Sequence, residues 1–435
     1  MASRVFPSSL SQSKILKLWG DSSTLKGVFE AGDMSAVATK LQATLYSLEN
    51  ARLDVGITGD TGSGKSTFVN AIRGLGDEDP KSAYTGVVEM TVGPTPYAHP
   101  KYPNVVIWDL PGIGAPTFQA EKYLQRVLPA RYDFFIIISS ESFAAHHAQL
   151  ACELRQCRKR FYLIRSKVDV DITASRSRRP STFSEERVLS QIRDDCCRRL
   201  EAGGLQDPKV FLLSMFELGK YDFHLLSEMM VKELESHKQH AFLQALPNVS
   251  KPILEKKAAS LRQHIWLVAA VASGINPSPV PGVRDVACDL HMLIDSLQGY
   301  RCSFGLDKDS LATLAGQTGQ ALHKILEAAQ GPETQVTEAL VVERLGQASR
   351  DASAFTQELL NVPILGTLAN CGISFATIYQ MLHMSLDEAV KDAQRLLLQA
   401  FLDDSEHEDW EDPGSVPRQG GAGGGKETQA LALLD

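Results

Sequence analysis

The segment Gly59-Asp60-Thr61-Gly62-Ser63-Gly64-Lys65-Ser66 gathers the groups that hold a polyphosphate. Glycines at 59, 62 and 64 admit backbone conformations closed to other residues, so the N–H groups of Thr61, Ser63 and their neighbours can converge on phosphate oxygens. Lys65 supplies an ammonium for the β- and γ-phosphates, and Ser66 a hydroxyl suited to Mg²⁺. Thr67 continues the same first helical turn. Such a loop works only where a strand delivers it and a helix starts from it, because the helix adds its positive end. The apolar run Leu53–Thr58 and the helical stretch Lys65–Leu75 meet both conditions, which a chance glycine turn would not.

Two later motifs narrow the ligand. Asp109-Leu110-Pro111-Gly112 follows the apolar strand Val105–Trp108. An acid there holds Mg²⁺ through water, and the Gly112 N–H can sense the γ-phosphate. Ser166-Lys167-Val168-Asp169 follows the strand Phe161–Arg165. Its Asp169 carboxylate can accept both guanine donors, N1–H and N2–H₂, a pair that adenine lacks, and the Lys167 stem can lie over the base. Ser214, closing the strand Val210–Ser214, is in place for a last base-contacting loop. The order of the three motifs points to GTP and GDP with Mg²⁺ as ligands. It disfavours an ATP-driven motor.

These residues need a sheet to bring them together. Apolar strands at Leu53–Thr58, Val105–Asp109, Asp133–Ser139, Phe161–Ser166 and Val210–Ser214 alternate with helical patterns, among them Ala144–Arg158 and Glu185–Ala202. Thr182 and Glu185 read as a capping box for the last. The alternation predicts a mostly parallel sheet with helices on both faces. Residues 51–237 are expected to form this α/β domain. Residues 1–50 and 238–402 read as helical and are expected to make a second domain, with Ile15, Leu16, Leu18, Leu41, Leu45 and Leu48 on the N-terminal stretch. From 403 the chain turns acidic, then glycine-rich, and residues 403–435 are expected to be disordered.

The chain has 435 residues, 43% hydrophobic and 22% charged, enough for two or three globular domains. A net charge of −8 argues against nucleic acid as a partner. Seven cysteines without a CxxC pair read as free thiols in a reducing, cytoplasmic setting. The opening MASRVFPSSL lacks the apolar core of a secretory signal, Ala2 excludes N-myristoylation, and ALALLD is no prenylation box.

Beyond the nucleotide motifs the chain resembles the immunity-related GTPases. The resemblance is carried by Thr85-Gly86-Val87-Val88-Glu89, Pro96-Tyr97, His99-Pro100, Trp108–Gly112, Tyr132-Asp133-Phe134-Phe135, Lys167-Val168-Asp169 and Tyr221-Asp222-Phe223. It continues through Pro247-Asn248 and Ser303-Phe304-Gly305-Leu306-Asp307, so it covers about residues 12–402. The phrases Pro279-Val280-Pro281-Gly282 and Gly372-Ile373-Ser374-Phe375 look most like the cinema type within that family. The resemblance implies a Ras-like G domain beside a helical domain built from both ends of the chain. It also implies a homodimer or oligomer formed through the nucleotide face, and attachment to internal membranes. By position, Thr85 and Gly86 fall in switch I, Glu89 becomes an acid tied to hydrolysis, and either Thr85 or Thr91 gives a second Mg²⁺ contact. Lys65, Glu89 and Gly112 are then the residues expected to support catalysis.

The sequence departs from the family pattern at three points. The guanine motif begins with Ser166 rather than Thr, which keeps a hydroxyl. Glu141-Ser142-Phe143-Ala144-Ala145 lacks the cations with which effector members reach a partner's nucleotide. Ile113 stands where many GTPases orient water with Gln, so hydrolysis is expected to be slow. A non-hydrolysing GTP-binding scaffold is the alternative.

Two uncharged runs, Ile265–Val283 and Leu359–Leu382, read as core helices or as an apolar hairpin that meets lipid. Proline, glycine and asparagine interrupt both, so neither is expected to span a bilayer. The basic groups Arg158-Lys159-Arg160 and Arg176, Arg178 and Arg179 read as a solvated face or a contact for anionic lipid. His146 and His147, at a helix start, read as exposed residues rather than metal ligands.

Overall fold

A computed structural model describes residues 34–86, 93–114, 118–274, 277–318, 322–328, 336–359 and 373–407. Glu89, Thr91, Asn276, most of the 359–382 run, the stretch before residue 34 and the tail from 408 lie outside the described residues. Contacts divide the chain into two compact units, one over Asn50–Ile253 and one from the described residues of Met1–Glu49 and Leu254–Asp435.

The first unit is a six-stranded sheet covered on both faces. Its strands are β1 (Leu53–Gly59), β2 (Thr95–Ala98), β3 (Val105–Asp109), β4 (Phe134–Ser139), β5 (Arg160–Arg165) and β6 (Val210–Leu212), in the order β2-β3-β1-β4-β5-β6. All neighbours run parallel except β2, which is antiparallel to β3. Successive residues of the central strands enter opposite cores. Val55, Ile57, Ile136 and Ile138 face one core with Phe68, Phe223 and Phe242, while Trp108, Phe135, Ile137 and Leu163 face the other with Tyr123, Leu150 and Leu200. Burial on both faces explains why these strands read as unbroken apolar runs.

β2 escaped the sequence reading because Thr-Pro-Tyr-Ala is short and only alternately covered. It is an edge strand, where Pro96 needs no partner for a missing N–H. Helix α1 (Met34–Glu49) belongs to the second unit; the helices of the sheet unit are α2 (Lys65–Ile72), α3 (Ala120–Val127), α4 (Ala145–Gln156), α5 (Val168–Arg178), α6 (Glu185–Ala202), α7 (Phe223–Glu233) and α8 (Ser236–Ala245). The cap of α6 is Ser184, which accepts from the Arg187 N–H, rather than the expected Thr182.

The sheet unit runs beyond residue 237 because α8 belongs to its core. Phe242 is buried edge-on against Phe134, ring centroids 6.0 Å apart. Lys238 pairs with Asp133, whose other carboxylate oxygen accepts from the Asp54 N–H at 3.0 Å.

In the second unit the chain continues through α9 (Lys251–Arg262), α10 (Ile265–Gly274), a hairpin of β7 (Ser278–Pro279) and β8 (Ala287–Cys288), α11 (Leu290–Ser303), α12 (Lys308–Thr318), α13 (Leu322–Ala328), α14 (Glu338–Leu359) and α15 (Ile373–His407). Leu41, Leu45 and Leu48 of α1 join the same core as α10 and α15. Every residue of α10 from Ile265 to Ala272 is buried, as a helix apolar on all sides must be. The helical part of the first uncharged run, Ile265 to Ala272, is therefore core. Phe375, Ile378, Tyr379 and Leu382 of the second run are core as well. Among the described residues no helix is long and apolar enough to cross a membrane. α15 continues through Asp403 and Asp404 to His407, past the expected end of order.

Phe242→Ala is expected to destabilise the sheet unit by about 3–5 kcal/mol, read as a lowered denaturant midpoint. A loss under about 1 kcal/mol would show that α8 is not part of that core.

Candidate nucleotide-binding site

The loop that could hold phosphate begins where β1 ends. Gly59, Gly62 and Gly64 have φ of 146°, 75° and 90°, values that side chains disfavour. At Gly59 the constraint is also steric, since a Cβ would lie 1.9 Å from the Ile138 carbonyl oxygen of β4. Gly64 turns the chain into α2, whose first residue is Lys65. Lys65 is buried, and its ammonium donates to the carbonyls of Gly59, at 3.3 Å, and Asp60, at 2.9 Å. The charge is thus held inside its own loop. Thr61 and Gly62 are exposed at the tip, Ser63 is buried beneath it, and Thr67 is half-buried on α2.

Ser66 Oγ donates to Asp109 Oδ2 at 2.8 Å. The pairing follows from topology, because β3 lies beside β1 with Asp109 in register with Ile57. A hydroxyl and a buried carboxylate side by side are hard oxygen donors of the kind Mg²⁺ takes, so the residues fit that ion. Beyond Asp109, the Ile113 N–H donates to Gly59 O at 3.2 Å. The Pro111 carbonyl accepts from Thr58 Oγ at 3.2 Å and from the Tyr123 hydroxyl at 3.0 Å. Burial pushes the Tyr123 phenol far above its ordinary range, so it remains a donor. These bonds fix the half-buried Gly112 close to the phosphate loop. Thr58 and Tyr123 were not singled out in the sequence, and no motif marks them.

The base side is tied to the phosphate side. Ser166 is fully buried and its Oγ donates to Ser63 O of the phosphate loop at 2.7 Å. Lys167 is exposed in a left-handed conformation, φ 58°, and caps α5, which carries the half-buried Asp169 in its first turn. The Val168 N–H reaches Leu213 O at 3.4 Å, bringing the buried Ser214 beside the motif. Met215 lies 3.9 Å from where a Cβ on Gly64 would be. Of the residues expected in switch I, Thr85 is half-buried and Gly86 exposed. They follow Ala83, whose N–H and C=O are both held by the Asn70 side chain of α2.

One constellation was missed. His147 is fully buried and His146 has a quarter of its side chain exposed, which corrects the expectation of two exposed residues. His146 Nε2 lies 2.7 Å from Asp60 Oδ1, and His147 Nε2 lies 3.2 Å from Asp60 Oδ2. The partners are far apart in sequence, so no local spacing announces them. Three such donors within 4.8 Å have the composition of a metal site. However, His147 Nδ1 accepts from the Ala144 N–H, whereas a metal-bound imidazole donates from its second nitrogen. The cluster is held by the His146–Asp60 hydrogen bond, with the His147 ring packed against the same carboxylate. Burial would raise the Asp60 pKa, but the bonds from His147 and His146 outweigh it and hold the carboxyl below its usual range.

Residues 20–400 match the model of the interferon-inducible GTPase (IIGP) family. The chain belongs to this family. It is 44% identical to interferon-inducible GTPase 5 of Rattus norvegicus, over 87% of this chain and 82% of that one. The Bos taurus protein of the same name is 43% identical over 88% and 82% of the two chains. Interferon-gamma-inducible GTPase 10 of Mus musculus is 35% identical over 88% and 90%. As a member of this family the chain is a GTP-binding protein with a G-domain sheet and added helical segments.

Gly59→Ala is expected to abolish nucleotide binding or folding, because the added methyl meets backbone rather than a movable side chain. Wild-type affinity for GDP in a fluorescence titration would show that the loop is not held as described.

Proposed function

We propose that the chain is a slow GTPase whose nucleotide state controls self-association through the nucleotide face and peripheral attachment to membranes. The observation that carries the reading is the Lys65 ammonium held over the glycine loop, with the Ser66–Asp109 pair on one side of it and the Ser63–Ser166 bond on the other. Lys65 and the loop amides grip the polyphosphate, Ser66 and Asp109 hold Mg²⁺, with Thr85 or Thr91 as a further ligand, and Asp169 selects guanine with Lys167 and Ser214 beside the base. Bound there, Mg²⁺ would neutralise charge on the β- and γ-oxygens. The Gly112 amide serves the end of the site where water attacks, and by the family resemblance Glu89 is the acid tied to hydrolysis. Slow turnover follows from Ile113, which is buried hydrocarbon and cannot orient a water molecule.

The name and sequence of the relatives support hydrolysis, and the family resemblance supports assembly and membrane contact of the cinema-like kind. With α10 committed to the core, membrane contact falls to exposed surface, such as Arg158, Arg160, Arg176, Arg178 and Arg179. A scaffold that binds GTP without cleaving it is the second reading, favoured by the absence of a cation in Glu141–Ala145.

Titration with GDP, GTP and ADP should show guanine preference, and Asp169→Asn should shift it toward xanthine nucleotides. Lys65→Ala should abolish tight binding. Phosphate release per molecule should rise with protein concentration if self-association activates hydrolysis, and a flat line near zero would favour the scaffold.

A further inference from the structure

We propose that His146, oriented by Asp60, accepts the proton of the attacking water during GTP hydrolysis. This rests on the hydrolysis reading above and supplies a group that Ile113 cannot.

The hydrogen bonds fix which nitrogen is basic. The Ala144 N–H donates to His147 Nδ1 at 3.1 Å, so the proton of that neutral ring sits on Nε2, 3.2 Å from Asp60 Oδ2. Asp60 is ionised, and an ionised carboxylate only accepts. His146 must therefore offer Nε2–H to Asp60 Oδ1, which leaves the lone pair on its Nδ1. A carboxylate that sets the tautomer of an imidazole, and stabilises the cation formed when it takes a proton, is a general-base dyad. His147 is wholly buried and serves to position Asp60, whereas His146 is exposed enough to meet water.

The dyad also stands in the right place. Asp60 follows Gly59 directly, and its carbonyl holds the Lys65 ammonium. A Cβ on Gly114 would lie 3.1 Å from Asp60 Oδ1, so the carboxylate packs against the chain two residues beyond Gly112. The junction of phosphate loop and Asp109–Gly112 segment is where the γ-phosphate end of the nucleotide must lie. In the step, the water oxygen bonds to the γ-phosphorus and the bond from phosphorus to the β–γ bridging oxygen breaks, its electron pair leaving with GDP. The water proton passes to His146 Nδ1 and then to the released phosphate.

The test is single-turnover GTP hydrolysis by the full chain, with nucleotide affinity measured alongside. His146→Ala should keep GTP affinity within about twofold and lower the rate about a hundredfold, the scale of general-base catalysis. Added imidazole should restore part of that loss, which repair of a merely structural defect would not do. Asp60→Asn should lower the rate without loss of affinity. A His146→Ala rate within threefold of wild type, or loss of GTP binding in that variant, overturns the proposal and leaves hydrolysis standing. Wild-type protein that binds GTP but releases no phosphate removes the hydrolysis reading, and this proposal with it.

Discussion

In the proposed site phosphate is gripped by backbone, and backbone amides converge on a point only where the chain turns through conformations that a side chain forbids. Gly59 is the tightest case, pinned against the β4 carbonyl at Ile138 with a φ no ordinary residue adopts. The rest of the unit is arranged around that turn. β1 lies between β3 and β4, so Asp109 emerges beside the loop from one neighbour and the Ser139–His147 segment from the other. β5 and β6 follow outward and deliver the loops proposed to read the base. The parallel order places the ends of β1, β3, β4, β5 and β6 on one side, and a single nucleotide can meet all of them.

The loops are not independent once delivered. Ser166 reaches Ser63, Ile113 reaches Gly59, and Pro111 is held by Thr58 and Tyr123. Most of these bonds are buried, where an unmade hydrogen bond costs about 1–3 kcal/mol. The guanine motif and the phosphate motif therefore stand or fall together. The serine at 166 keeps this link because the hydroxyl, not the methyl of a threonine, makes it.

The parts legible in sequence were those whose physics is local. Strands buried on both faces showed as apolar runs, and the glycine loop, Asp109 and Asp169 followed at readable positions. β2 was hidden because an edge strand needs neither two apolar faces nor an unbroken set of N–H groups. The extent of the sheet unit was hidden because α8 is fixed by Phe242 against Phe134 and by Lys238 against Asp133, contacts with no trace in helical periodicity. α10 was ambiguous for another reason: a helix apolar all round suits a core and a membrane equally, and only its partners decide.

The Asp60 cluster was the least legible element, and it shows why a motif's variable positions deserve physical scrutiny. An acid inside a loop built to attract polyphosphate is electrostatically unfavourable, because its charge opposes the ligand's. It is tolerable here because His146 hydrogen-bonds one carboxylate oxygen and the buried His147 ring lies 3.2 Å from the other. Composition shows one aspartate and a distant pair of histidines, each ordinary alone. The fold makes them a unit: β4 lies beside β1, so the helix following β4 starts next to the loop following β1, and the fully buried ring of His147 fixes the distance between them. What the same fold removes at Ile113, a polar group able to face water, it returns at His146 from the adjacent strand's loop.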